Sequence, residues 1–505
     1  MKKIILIICL VFSYYQPCFA EVLDGVKNTT IFVKIVDKDL NEKKIPRINL
    51  EISSYPFGGV EYSMGKDLTF QQEAVKEGNT FDIASASDIL YMYISYDGKR
   101  IPGGLFYRID NIYILKAGSK LTVLLDKHDI KFSGEGATIP NVQSQIIKHS
   151  YRTSESDLKL LNDKEYFHYF QKLDKSRDSA LQLQLKVIEE NKSVLGERYV
   201  KLLTANCYGY RYYSQLRGYN FHLIQDKMFF KAFKAYYNEK IKKLILPEFT
   251  NNISDASPMF ANYLIEELNV VERIGHEEYG PMLPDTCIKN ILQKINTTYN
   301  GILKDKLLTL FALRIRGNEN AEPFFAEILS NVNSKKYNDL LISKIKVRQN
   351  GIPFKDFSLE DERGMRYTLD SFKNKIIVLD FWFTGCENCV ILNEAMKPIM
   401  KYFSNNNQIR FVSVSIDKSK NQWRKSLERG DYTHHESLNL YTNGKGAEHS
   451  LINYYNVTSY PTVFIIKDGL MYSSLPPTPS LTTTTGQEFS ISGARFIQLL
   501  EKAMK

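Results

Sequence analysis

From Ile376 to Trp382 the chain carries six apolar residues around a single Asp380, with no alternation. Such a run predicts a strand buried on both faces, in the middle of a parallel sheet. After Cys389 the apolar residues Leu392, Met396, Ile399 and Phe403 recur at helical spacing, so Cys386 is expected where a strand gives way to a helix N-terminus. Earlier in the chain, short runs at 31–36, 48–52, 89–95 and 121–125 are separated by Gly, Asp, Asn and Ser, the signature of several short strands in a sandwich. Between Ile139 and Ile345 the period changes. Phe167, Phe170 and Leu173, then Leu181, Leu185 and Ile188, then Phe229, Phe233 and Tyr236 follow helical spacing. No repeat near 34 residues emerges, so an irregular helical domain is expected. Asn350-Gly-Ile-Pro353 reads as a linker. Beyond it come strands at 409–416 and 463–466, an Asp468-Gly469 turn into 470–472, and a last helix with Phe496, Ile497, Leu500 and Met504 on one face. Alternating helices and strands predict a mixed sheet with helices on both faces. Ser473 to Gln487, rich in Pro, Ser and Thr, reads as a long loop.

The expected fold class is therefore multidomain. An N-terminal all-β sandwich (21–138) precedes an irregular all-α middle domain (139–348) and a C-terminal α/β domain (349–505). At the start, Lys2 and Lys3 precede an apolar stretch to Phe12, and Cys18-Phe19-Ala20 offers a small residue for cleavage. Residues 1–20 are thus expected to be a secretory signal peptide and the mature chain extracytoplasmic, in the periplasm. A lipid anchor at Cys18 is the competing reading, which the Tyr15-Gln16-Pro17 context disfavours. No later segment approaches about 18 uninterrupted apolar residues, so stable membrane insertion is not expected.

Charge and cysteine usage narrow the classes further. The formal charge of +9 is spread as single basic residues among acids, a solvated surface and not a nucleic-acid footprint. Without the signal peptide, Cys207, Cys287, Cys386 and Cys389 remain, too few for a disulfide scaffold in so long a chain. Cys207 and Cys287 fall in the helical part, where sequence leaves open whether they pair or are buried thiols. The tyrosines of 208–213, with Tyr219 and Phe221, could line a groove but suit helix core equally well.

The chemistry concentrates at Cys386 and Cys389. A helix N-terminus stabilises a thiolate, the species that attacks disulfides, which makes Cys386 the expected nucleophile and Cys389 the resolving thiol. Asp380, six residues before the first cysteine, and Tyr460-Pro461 entering a later apolar strand complete a pattern that resembles the thioredoxin superfamily. The segment from Phe357 through Lys375 into the cysteine pair resembles the extracytoplasmic TlpA-like thiol-disulfide oxidoreductases, over about the last third of the chain. The preceding Lys131–Ala137 resembles, loosely, the end of a small β domain that often precedes such domains. The resemblance implies a thioredoxin-like fold, with Asp380 as the buried carboxylate that handles the proton of Cys389 and Pro461 as a cis-proline facing the disulfide. It implies protein disulfides as substrates, a membrane thiol carrier as electron donor, and no dissociable cofactor or metal. Gly385, Asn388 and Glu394 depart from the thioredoxin pattern, and the first two bear on the redox potential. Glu387, inside the motif, is expected to tune the cysteine, and Trp382 to pack beneath it.

Rival readings are a thiol peroxidase, for which Thr384 alone supplies too little of the pocket, and a non-enzymatic extracytoplasmic binding protein with the last domain as a scaffold. A zinc site at the cysteine pair would need two more ligands, and His434, His435 and His449 are expected in loops or on the surface.

Overall fold

The computed structural model describes residues 26–36, 47–58, 68–75, 77–96, 112–126, 129–223, 226–243, 246–278, 283–316, 321–457, 459–481 and 489–505. The expected signal peptide, Cys18, and part of the loop at 473–487 lie outside these. The described chain divides into two compact units. One holds the residues up to Arg211 together with Ala256–Phe260, the other Tyr212–Asp255 with Ala261–Lys505.

The first unit opens with two four-stranded sheets. Strands β1 (Lys27–Ile35), β4 (Asn79–Ser85), β7 (Lys120–Leu125) and β8 (Ile130–Glu135) form one, in the order β4-β1-β7-β8. Strands β2 (Arg47–Ser53), β3 (Leu68–Glu73), β5 (Ile89–Tyr96) and β6 (Tyr113–Lys116) form the other, in the order β3-β2-β5-β6. Alternation along β4 and β7 sends every second residue inward, as a half-buried strand requires. Ile31, Val33, Phe81 and Val123 of the first sheet thereby share one core with Leu50, Ile52, Met92 and Leu115 of the second, the expected sandwich. The helix Thr138–Lys148 follows directly. Its buried Gln143 accepts from the Ile114 N–H at 2.6 Å and donates to the Ile112 carbonyl at 3.2 Å, which satisfies sheet-edge groups that burial would otherwise leave unpaired.

In the long helix Glu197–Leu223, Gly209 lies against the backbone of the segment Ala256–Phe260. A Cβ at this position would stand 2.3 Å from Phe260 N. Asn206, one turn earlier, accepts from Ser257 Oγ and the Met259 N–H at 3.2 and 3.1 Å. Backbone cannot yield as a flexible side chain does, so Gly209→Ala is expected to cost about 2–3 kcal/mol. The check is chemical denaturation of the two chains, where an unchanged midpoint would contradict the close approach.

Of the expected helical stripes, Phe170 and Leu173 are buried in the first unit while Phe167 is exposed, and the third stripe lies in the second unit. Phe229, Phe233 and Tyr236 are buried, as are Tyr213 and Tyr219, with Tyr219 4.9 Å from Phe233 between ring centroids. These tyrosines are core and not the wall of an open groove. Cys207 and Cys287 are both unpaired by disulfide and buried.

The C-terminal sheet has seven strands in the order β10-β9-β13-β12-β11-β14-β15: β9 (Leu359–Asp361), β10 (Arg366–Tyr367), β11 (Ile376–Trp382), β12 (Ile409–Ser415), β13 (Leu438–Tyr441), β14 (Thr462–Lys467) and β15 (Leu470–Ser473). Strands β11, β12 and β13 run parallel and β14 antiparallel to β11. Central β11 is buried on both faces, as its unbroken apolar run requires. On one face Ile376 and Val378 pack against Leu392, Met396 and Ile399 of the helix Glu387–Tyr402 and Phe496 and Leu500 of the helix Ile491–Met504. On the other, Ile377, Leu379 and Phe381 meet Leu451, Ile452 and Tyr455. The segment read as a linker is itself tied down. Gly351 N–H donates to the Met471 carbonyl and Met471 N–H to that of Ile352, at 2.7 and 2.8 Å, covering the edge of β15.

Candidate active site

Strand β11 ends at Trp382, and four residues later Cys386 is the N-cap of the sixteen-residue helix Glu387–Tyr402. The connection turns at Gly385, whose φ of +100° is a conformation open to glycine and costly for other residues. Cys386 and Cys389 are joined by a disulfide, with Cα atoms 5.2 Å apart. Cys386 Sγ accepts from the Cys389 N–H at 3.2 Å, so the sulfur sits among the unpaired amides at the positive end of the helix. In the reduced state the same arrangement would favour thiolate at Cys386. Cys386 keeps 5% of its surface and Cys389 2%, while Gly385, Glu387 and Asn388 around them are exposed. Pro398 stands inside the helix, one turn beyond Glu394.

Asp380 is the only residue of β11 that is not fully buried. Period two places it on the face of Ile376 and Val378, beneath the helix that begins at the cysteines. Burial pushes its carboxyl up to about 7, against a weaker opposing hydrogen bond from Ser413 Oγ at 3.1 Å. A carboxyl titrating near neutrality can take up and release a proton at working pH. Pro461 follows a cis peptide bond from Tyr460. The register Phe381↔Thr462 brings it to the same end of the sheet as the cysteines, and Tyr460 packs against the cluster that contains both sulfurs. A cavity of about 260 Å³ opens beside Pro461, lined also by Thr462, Val463, Arg348 and Leu475.

Trp382 packs at the site as expected, and it has partners there that the sequence did not point to. Trp382 stacks on Tyr432 at 5.1 Å and Trp423 on Tyr441 at 4.7 Å, and both tryptophans are fully buried beside the disulfide. Asp417 accepts from Thr384 N–H and Oγ1 at 2.9 and 2.8 Å and from Ser415 Oγ at 3.0 Å. The Tyr432 hydroxyl accepts from the Gly385 N–H at 2.9 Å. Together these bonds pin the turn that carries Cys386. The Ser415-Ile-Asp417 ending of β12 was the available signal, because a polar pair closing a buried strand must bond something at the strand tips. His434 is half-buried with its ring 4.1 Å from that of His435. His449 lies in a loop, as expected, but is buried there: it caps the helix Ser450–Tyr454, accepting from the Leu451 N–H at 3.3 Å.

A mixed sheet with helices on both faces, a disulfide at a helix N-cap and a cis-proline at the same sheet end define the thioredoxin-like class. Residues 374–470 match the thioredoxin-like family model, and the C-terminal domain of this chain is thioredoxin-like. Among curated proteins, the thioredoxin-like protein YneN of Bacillus subtilis (strain 168) is 31% identical over 121 residues, 24% of this chain. The matched stretch spans 66% of that relative, just under two thirds of its length. Among solved structures, the thioredoxin domain of a thiol-disulfide oxidoreductase from Bacteroides vulgatus aligns with 31% of this chain and 98% of its own, at 17% identity and a TM-score of 0.24. A thiol:disulfide interchange protein from Bacteroides sp. aligns with 31% and 90%, at 18% identity and a TM-score of 0.25. No helix among the described residues is long and apolar enough to cross a membrane.

Proposed function

We propose that this chain is an exported thiol-disulfide oxidoreductase that reduces protein disulfides through Cys386 and Cys389. The observation that carries the reading is the Cys386–Cys389 disulfide at the N-cap of a long helix, above a carboxyl that titrates near neutrality. In the reduced protein the Cys386 thiolate attacks one sulfur of a substrate disulfide. The substrate S–S bond breaks, its leaving sulfur takes up a proton, and a mixed disulfide joins Cys386 to the substrate. Cys389 then gives its proton to the Asp380 carboxylate and attacks Cys386 Sγ. The second substrate sulfur leaves as a thiolate, two electrons have passed to the substrate, and Cys386–Cys389 is oxidised. Pro461 and Tyr460 flank the approach of an extended substrate segment, with the adjoining cavity receiving its side chains. A membrane thiol carrier outside the cytoplasm would return the electrons. Thr384 serves the turn and not a peroxide pocket, since its hydroxyl bonds Asp417 and stands 2.8 Å from Ser426 Oγ.

The test is a Cys389→Ser chain, reduced and then offered a disulfide-containing protein. A covalent adduct at Cys386, released by dithiothreitol and seen by mass spectrometry, is expected. If none forms while Cys386 remains open to a small alkylating reagent, the reading fails.

A further inference from the structure

In the helical part of the second unit, away from the cysteine pair, three chemically different side chains converge. Glu272 and His276 stand one turn apart on the helix Pro258–His276, and Cys287 lies in the first turn of the helix Asp285–Thr298. One ligand atom from each falls within 4.8 Å of the other two. Cys287 is fully buried, Glu272 nearly so, and His276 is exposed at the mouth of the cluster.

The geometry excludes two ordinary roles for this thiol. It forms no disulfide, and a fully buried sulfur behind an exposed imidazole has no face to offer a substrate, so a Cys–His–Glu nucleophile is not what is built here. A cation suits the arrangement better. His276 Nδ1 lies 3.5 Å from Glu272 Oε2. Two ligands bound at about 2.0–2.1 Å to one tetrahedral zinc stand roughly 3.4 Å apart. The same nitrogen donates to the Glu272 carbonyl at 3.0 Å, a bond that Nδ1 gives up with its proton when it turns to a cation. The carboxylate is oriented in turn: Asn290 Nδ2 donates to Oε2 at 2.9 Å and Lys294 Nζ meets Oε1 at 2.9 Å. Outer partners of this kind are what metal-binding carboxylates have.

We propose that Glu272, His276 and Cys287 form a three-ligand site for zinc(II) or a similarly borderline-soft divalent cation, with water in the fourth position. Thiolate and carboxylate bring two negative charges to the ion, the carboxylate sharing its own with Lys294, and Cys287 releases one proton as its sulfur binds. The helix Pro258–His276 would thereby be clipped to the helix Asp285–Thr298. None of this involves Cys386 or Cys389, so it stands or falls apart from the redox reading.

The experiment uses the full chain carrying Cys386→Ser and Cys389→Ser, titrated with cobalt(II) and then zinc(II). One cobalt per chain is expected, with a thiolate-to-cobalt charge-transfer band that zinc abolishes. Cys287→Ala removes the band, Cys207→Ala leaves it, and His276→Ala, at an exposed position that folding tolerates, weakens binding at least tenfold. Zinc also raises the melting temperature of the parent chain and not of His276→Ala. The proposal is overturned if the parent binds neither ion stoichiometrically, if the band survives Cys287→Ala, or if His276→Ala binds as tightly as the parent.

Discussion

Replacing Cys386 by serine is expected to slow disulfide reduction at least about a thousandfold, roughly 4 kcal/mol on the barrier. The reason is chemical and local. Exchange runs through a sulfur anion, and the helix N-terminus that would favour thiolate at Cys386 cannot make an alkoxide of a serine hydroxyl near neutral pH. Cys389→Ser should slow turnover comparably but by another route, since the first attack survives and only release fails. Single-turnover kinetics with a protein disulfide distinguish the two: no adduct for Cys386→Ser, a persistent adduct for Cys389→Ser. Equal rates for Cys386→Ser and the parent would remove the proposed nucleophile.

Asp380→Asn is expected to do two opposite things. The folded carboxyl titrates at about 7, above its ordinary value of 3.8. Between those values the folded chain holds a proton that the unfolded chain has already released, so stability is greatest below about pH 4 and falls as pH rises through 7. Above pH 7 the full cost of a charged, desolvated carboxylate is present. That difference corresponds to an upper bound of roughly 4 kcal/mol. Partial exposure of Asp380 to solvent screens the charge, and about 2 kcal/mol is the expected gain of Asp380→Asn at pH 8, vanishing near pH 4. Denaturation of the oxidised chain at the two pH values measures this. Meanwhile resolution of the mixed disulfide should slow about a hundredfold and lose its inflection near pH 7, because no group remains to take the Cys389 proton. A variant that is stabilised but resolves at the parent rate would make Asp380 an ordinary buried acid.

What could be read along the chain was whatever the backbone period and local chemistry fix. The unbroken run of β11 announces a strand covered on both faces, and Leu392, Met396 and Ile399 announce the helix after it, because burial of a 3.6-residue stripe leaves the same trace wherever it occurs. The helix Lys420–Arg429 left no such trace. Its sequence is polar except at Trp423 and Leu427, so a single deeply buried indole secures it. Strand β13 is four residues long, too short for alternation to register. The capping role of His449 was hidden, because nothing local distinguishes a capping histidine from a solvated one in a loop.

The cysteine spacing, the apolar strand before it and the proline before β14 were set by sequence alone, since each is a local choice of residue type. Which groups surround the sulfurs was decided by the tertiary structure. Asp417 reaches Thr384 only because β12 lies beside β11, and Tyr432 reaches Gly385 from 47 residues away. The upward shift at Asp380 likewise arises from the helix and strands packed around it, a property of packing and not of any short stretch of chain. Contacts between distant segments depend on how the sheet is ordered, and no periodicity along the chain encodes that order.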